Sequence, residues 1–227
     1  MQNMIEEKPI LSIETSETLC GACIYFSAQK YFESNIQLKN SHAEKLFEAI
    51  ENVMNASGVL TKDLSAIAVS AGPGSFTGLR IGMSAAKGIA FGSSLPIIPV
   101  PTFEAMALQI ANYLPENALF SIANKVNSDE IYFAKFQIIS NSFIFVENLS
   151  IINHSEFAKK AEGSILFGNA VKIIDNLADN GSKISVPSPV YIADWARKYG
   201  ANSEVFELDY LEPNYLKNFI IKGRKNG

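Results

Sequence analysis

The sequence predicts an α/β protein built from two similar lobes. The first observation behind this is a repeated order of elements. Each half of the 227 residues reads as three strands, a helix, a strand and a helix. The second is composition. With 48% apolar and 19% charged residues and a net charge of -4, the chain can bury a sizeable core and is not a mainly disordered polymer. The third is a glycine-rich loop that follows a buried strand and opens a helix.

The elements follow in order. Ile10 to Ile13 reads as a strand, Glu14 to Thr18 as a polar turn, and Ala22 to Phe26 as the next strand. Tyr31 to Leu38 completes an antiparallel meander. Ser41 and Glu44 form a capping box at the start of a helix, in which Leu46, Ile50 and Val53 recur at helical spacing. Gly58 stands where that helix should stop. A buried strand at Ala66 to Val69, the glycine loop, a helix to about Phe91, a strand at Ile97–Ile98 and a helix after Thr102 complete the first lobe, residues 1–113.

The second lobe, 114–227, begins in a junction around Asn112 to Asn117. Strands are expected at Leu119 to Ala123, Glu130 to Ile138, Phe143 to Glu147 and Ile165 to Phe167. Helices are expected after Ser155, over Val171 to Ala178 and over Val190 to Tyr199.

No segment approaches the roughly 18 consecutive apolar residues of a membrane span. The start of the chain does not read as a secretory signal, so a cytoplasmic location is expected. The net negative charge argues against generic nucleic-acid binding, although Lys217, Lys222, Arg224 and Lys225 make the tail locally basic. That tail reads either as a solvated end or as a segment that touches RNA.

The richest stretch runs from Ser70 to Gly82. Outward-pointing amides and a helix dipole at such a junction favour an anion, and Arg80 can add a charged fork. Gly72, Gly74, Ser75, Thr77 and Arg80 are therefore candidate phosphate contacts. The pattern is neither a P-loop nor the dinucleotide fingerprint, and a tight turn without ligand is the alternative. In the helix that follows, Arg80, Ser84 and Lys87 form one narrow polar seam. Leu79, Met83, Ala86 and Ala90 make one apolar flank; Gly78, Gly82, Ala85 and Ile89 make a second, mostly of very small side chains. Either the whole helix is buried in its own domain, or the small flank receives a partner chain.

Other chemistry is sparse. Cys20 and Cys23 form a CxxC within a strand, where positions three apart face opposite sides, so redox or zinc chemistry is disfavoured. His42 and His154 form no ligand pair, and no metal site is expected. Glu14, Thr15 and Ser16 can face a phosphate and its magnesium, or can simply make a polar turn.

The chain resembles the TsaB (YeaZ) family. The resemblance rests on Gly72-Pro73-Gly74-Ser75-Phe76-Thr77-Gly78-Leu79-Arg80-Ile81-Gly82, with support from four further segments. These are Ile13 to Ser16, Ser41 to Leu46, Pro101 to Ala105 and Pro213 to Leu216. It implies two ribonuclease-H-like lobes of the actin, sugar-kinase and heat-shock ATPase (ASKHA) type. It also implies a non-catalytic subunit, with no catalytic residue of its own, in threonylcarbamoylation of adenosine 37 of tRNA. The implied partners are a TsaD-like catalytic subunit, a TsaE-like ATPase acting on the pair, and a second copy through the same surface, with tRNA reached indirectly. No cofactor is required by this chain, with ATP or ADP at or near the partner interface.

The family's partner surface is its first two helices. Here it would comprise Leu46, Phe47, Ile50 and Met54 from one, and Gly78, Gly82, Ala85 and Ile89 from the other. Three departures favour a scaffold over an enzyme. Glu14 replaces the usual Asp, Lys125-Val126-Asn127 replaces Asp-Ala-Arg, and Gly168-Asn169-Ala170 replaces Gly-Asp-Gly. The alternative is an ASKHA-type ATPase or phosphotransferase using Glu14 and the Gly72–Gly78 loop.

Overall fold

The computed structural model describes residues 8–37, 42–173 and 184–216. The first lobe runs β1 (Ile10–Glu14), β2 (Leu19–Ser27), β3 (Lys30–Gln37), α1 (His42–Ser57), β4 (Ala66–Gly72), α2 (Phe76–Ser93), β5 (Ile97–Pro101) and α3 (Thr102–Ala111). The second runs β6 (Leu119–Lys125), β7 (Glu130–Ile139), β8 (Ser142–Asn153), α4 (His154–Ala161), β9 (Ile165–Phe167) and α5 (Pro189–Tyr199).

The two sheets share one wiring plan. The first has strand order β3-β2-β1-β4-β5 and the second β8-β7-β6-β9. In each, the first strand pairs antiparallel with the second and parallel with the fourth. This is the two-lobed, ribonuclease-H-like ASKHA architecture that the resemblance implies.

Side-chain alternation explains the layering. In β1, Leu11 and Ile13 face one side with α1 and α2, while Ile10 faces the other with α3 and α5. Cys20 and Cys23 fall on opposite faces of β2 for the same reason, each buried in a different core. The second sheet packs Phe120, Tyr132 and Phe136 against α3, and Ile131 and Phe133 against α4. Helix α3 therefore lies between the sheets. Ala105 and Leu108 meet the first, and Phe103, Met106 and Ile110 meet the second. It is apolar on the two sides that face the sheets, with Glu104 and Gln109 left half-buried between them.

Helix α5 follows the second sheet in sequence yet packs on the first. Ile192 and Ala193 join that core, Ser12 Oγ donates to Pro189 O at 2.6 Å, and Tyr25 Oη donates to Asp194 at 2.8 Å. Pro189 sits in its first turn, where a missing N–H costs nothing. Beyond α5 the chain crosses the first sheet's edge, where Val205 exchanges backbone hydrogen bonds with Ile97 at 2.8 and 2.9 Å. That edge strand, β5, tolerates Pro99 and Pro101 because it is not central.

Some expectations shift. Strand β8 is twelve residues long, since its bulged pairing with β7 continues to Asn153. Helix α4 begins at His154, one residue before Ser155, because Asn153 and Glu156 make the capping box. Val171–Ile173 is a 3-10 turn, and 174–178 of the helix expected there lie outside the described residues. So do Ser41, the expected cap of α1, and the basic tail. Gly58 ends α1 in the left-handed region, at φ 68°.

Candidate functional site

Two features meet at the start of α2: the glycine loop with the buried turn after β1, and an open groove between α1 and α2.

The loop is joined to its own chain at every glycine. Gly72, at φ 105°, lies against the Asn214 carbonyl, and a Cβ there would stand 2.5 Å from that oxygen. A Cβ on Gly74 would stand 2.5 Å from the Ser16 carbonyl oxygen. On Gly78 it would overlap the Thr15 carbonyl, and on Gly82 the Thr15 Oγ1. The small flank of α2 thus lets the helix lie directly on the β1–β2 turn. This corrects the expectation that Gly78 and Gly82 receive a partner: both are buried, Gly78 against the Thr15 carbonyl and Gly82 against the Thr15 side chain.

Three of the loop amides are similarly engaged. Gly72 N–H donates to Thr102 Oγ1 at 3.1 Å and Ser75 N–H to Ser16 O at 2.6 Å. Gly78 N–H donates to Ser75 Oγ at 3.2 Å, so Ser75 is the helix N-cap. Such amides cannot also cradle a phosphate without releasing these partners. Thr77 is exposed, and its hydroxyl has no described partner.

Glu14, Thr15 and Ser16 are fully buried. Ser16 N–H donates to Glu14 Oε1 at 2.5 Å, while Glu14 Oε2, Thr15 Oγ1 and Ser16 Oγ lack a partner of normal geometry. Burial pushes the Glu14 carboxyl up to about 7, against the opposing pull of the nearby Ser16 and Ser70 groups. Glu17 is likewise raised by burial to about 7, although a side-chain hydrogen bond with Asn169 favours its charged form. Asn169 Oδ1 accepts from Lys125 N at 2.7 Å and its own N–H donates to Asn124 Oδ1 at 2.9 Å. One residue of the second lobe thus reaches the turn of the first. Among the described residues, no group of three or more His, Cys, Asp and Glu side chains could hold a metal ion.

Arg80 packs on an aromatic pair. Its guanidinium carbon lies 4.0 Å from the Phe76 ring centroid and 5.9 Å from that of Tyr215, and Nε donates to Tyr215 Oη at 3.1 Å. The aromatic pair holds the side chain in place, and its terminal Nη groups donate to no described residue. Neither Phe76 nor Tyr215 had a role in the sequence reading. Both lie in the family motifs, but nothing in a sequence brings Arg80 and Tyr215, 135 positions apart, together.

The groove is about 520 Å³ and is lined by Phe47, Phe76, Thr77, Arg80, Ile81, Ser84 and Ala85. Phe47 is 58% exposed there. Of the other expected partner contacts, Leu46 and Ile50 are buried in the first lobe's core, while Met54 and Ile89 are half-buried against it. Helical geometry explains the split, because Leu46, Ile50 and Val53 occupy the sheet-facing stripe and Phe47 lies outside it.

Three comparisons bear on this geometry. A family model described as TsaD, tRNA N6-adenosine threonylcarbamoyltransferase, matches residues 36–208. The tRNA threonylcarbamoyladenosine biosynthesis protein TsaB of Haemophilus influenzae is 28% identical, over 97% of this chain and 96% of its own length. A tRNA N6-adenosine threonylcarbamoyltransferase of Erythrobacter litoralis is 44% identical, but over 30% of this chain and 20% of its own. Among solved structures, YeaZ from Pseudomonas aeruginosa gives a TM-score of 0.77 at 19% identity, covering 92% of this chain and 100% of that one. That last likeness shows the fold alone.

Proposed function

The chain belongs to the TsaB (YeaZ) family of tRNA threonylcarbamoyladenosine biosynthesis, and from that premise we propose that it is a non-catalytic partner of a TsaD-like catalytic subunit. The observation that carries the reading is the groove between α1 and α2, with a large apolar ring, Phe47, standing in solvent at its rim. Exposed aromatics beside a shaped apolar groove are characteristic anchors of protein interfaces. In this reading the partner transfers the threonylcarbamoyl group, a TsaE-like ATPase acts on the pair, and ATP or ADP belongs at or near the interface. The same surface can serve a second copy. Against the ATPase alternative stands the engagement of the Gly72, Ser75 and Gly78 amides by the chain's own groups.

The test is sedimentation velocity of this chain mixed with the TsaD-like subunit from the same organism. A mixed complex is expected, and Phe47→Glu should abolish it while leaving the isolated chain folded. Independent sedimentation of the unmodified pair, with and without nucleotide, would overturn the reading. Gly82 is not a usable probe, because its contacts are internal.

A further inference from the structure

We propose that Arg80 is a pre-positioned anchor for a carboxylate on the catalytic subunit, held ready by Phe76 and by Tyr215 from the far end of the chain. The inference rests on the partner reading and deepens it, by stating the chemistry the partner must present.

Tyr215 is the start of the argument. It belongs to the Pro213–Leu216 segment that the sequence singled out without assigning it a task. The segment is tied down on the first lobe, with Asn214 N–H donating to Ala71 O at 2.7 Å and Pro213 buried. Tyr215 then meets Phe76 at 4.9 Å between ring centroids, tilted by 41°. Arg80 lies over Phe76 and donates Nε to Tyr215 Oη. Three residues from two distant parts of the chain form one clamp.

An exposed arginine ordinarily loses rotamer freedom when it engages a partner. Here stacking and the Nε bond have already restricted the side chain. The bond uses Nε alone, and the two terminal Nη groups donate to no described residue. Arg80 is exposed, and among the described residues no carboxylate lines the groove it borders. A fixed planar cation with free donors beside an apolar groove and Phe47 is complementary to a carboxylate flanked by an apolar side chain. The apolar group enters the groove and the carboxylate receives the Nη donors. Tyr215 is accordingly a positioning residue, acting through Arg80.

The experiment measures binding of the full chain to the catalytic subunit at several ionic strengths, using the parent, Arg80→Gln, Arg80→Lys and Tyr215→Phe. Arg80→Gln is expected to weaken binding roughly 30-fold and to flatten the salt dependence, because a charge pair is lost. Tyr215→Phe retains the charge, so binding should weaken several-fold with the salt dependence kept. Arg80→Lys should behave like Tyr215→Phe, since the cation remains but the planar stack and paired donors do not. Tyr215→Phe removes a single hydroxyl and remains decisive if Arg80→Gln melts early. Parent-like affinity and salt dependence in Arg80→Gln would overturn the anchor while leaving the partner reading intact. So would unchanged subunit affinity accompanied by weaker tRNA binding, which would assign Arg80 to a phosphate. If the parent chain does not bind the subunit, the partner reading fails and the anchor with it.

Discussion

Helix α2 offers one substitution with opposite consequences at two positions ten residues apart. A Cβ added at Gly88 meets nothing within 4 Å, so Gly88→Ala should behave as an ordinary helix-interior replacement. It should stabilise the chain by about 0.5–1 kcal/mol, because alanine restricts the unfolded backbone more than glycine does. At Gly78 the same methyl overlaps the Thr15 carbonyl, part of a fully buried turn, and comes within 3.3 Å of the Ser75 cap. The backbone oxygen cannot rotate away, so helix and turn must separate by on the order of 1 Å. Overpacking of this kind costs about 1–3 kcal/mol, and loosening the cap about 1 kcal/mol more. Against a helix-propensity gain of at most about 1 kcal/mol, the net is a loss of about 1–3 kcal/mol. For a chain of this size, thermal unfolding should move up by about 1–4 °C in Gly88→Ala and down by about 2–12 °C in Gly78→Ala. Circular dichroism melts and urea titrations of both variants supply the measurement. Gly78→Ala as stable as the parent would refute the close helix–turn approach on which the site description depends.

The remaining predictions concern the buried carboxyls. Glu14 keeps its proton in the folded chain up to about pH 7, whereas an ordinary carboxyl releases it near 4.5. Between those values the folded state holds more protons than the unfolded, so stability should fall as pH rises through that window, with Glu17 adding in the same direction. Glu14→Gln should flatten the fall and, at pH 8, exceed the parent by on the order of 2 kcal/mol. Urea midpoints from pH 4 to 8 measure this, and a parent whose stability climbs across the window would contradict it. Asn169→Asp places a second carboxyl against Glu17 and should destabilise the chain above pH 7 while leaving it near parental stability at pH 5. Equal loss at both pH values would mean that the lost side-chain N–H donor to Glu17 matters more than the charge.

Periodicity and punctuation, read from the sequence alone, determined the order of the elements and the two-lobe repeat. β4 is a short continuous apolar run because both of its faces are covered, and Leu46, Ile50 and Val53 mark the buried stripe of α1. These are local consequences of side-chain spacing, so a linear reading reaches them. The glycine loop was legible as a special place, but not what it is special for. Glycine signals only that something comes close, and tertiary packing decided that the neighbour is the carbonyl or hydroxyl of Thr15 and Ser16. The same limit applied to Arg80. Its residue type suggested an anion, while its direction was decided by Tyr215, which the first lobe holds in place through the Asn214–Ala71 hydrogen bond. Helix α5 is the largest case. Its amphipathic sequence guaranteed that one face would be buried, and the first sheet's uncovered side, presenting Ile10, Cys23 and Ala68, decided where. Short-range spacing selects secondary structure and the face to be buried; which surface buries that face depends on long-range closure of the chain, for which local sequence carries no signal.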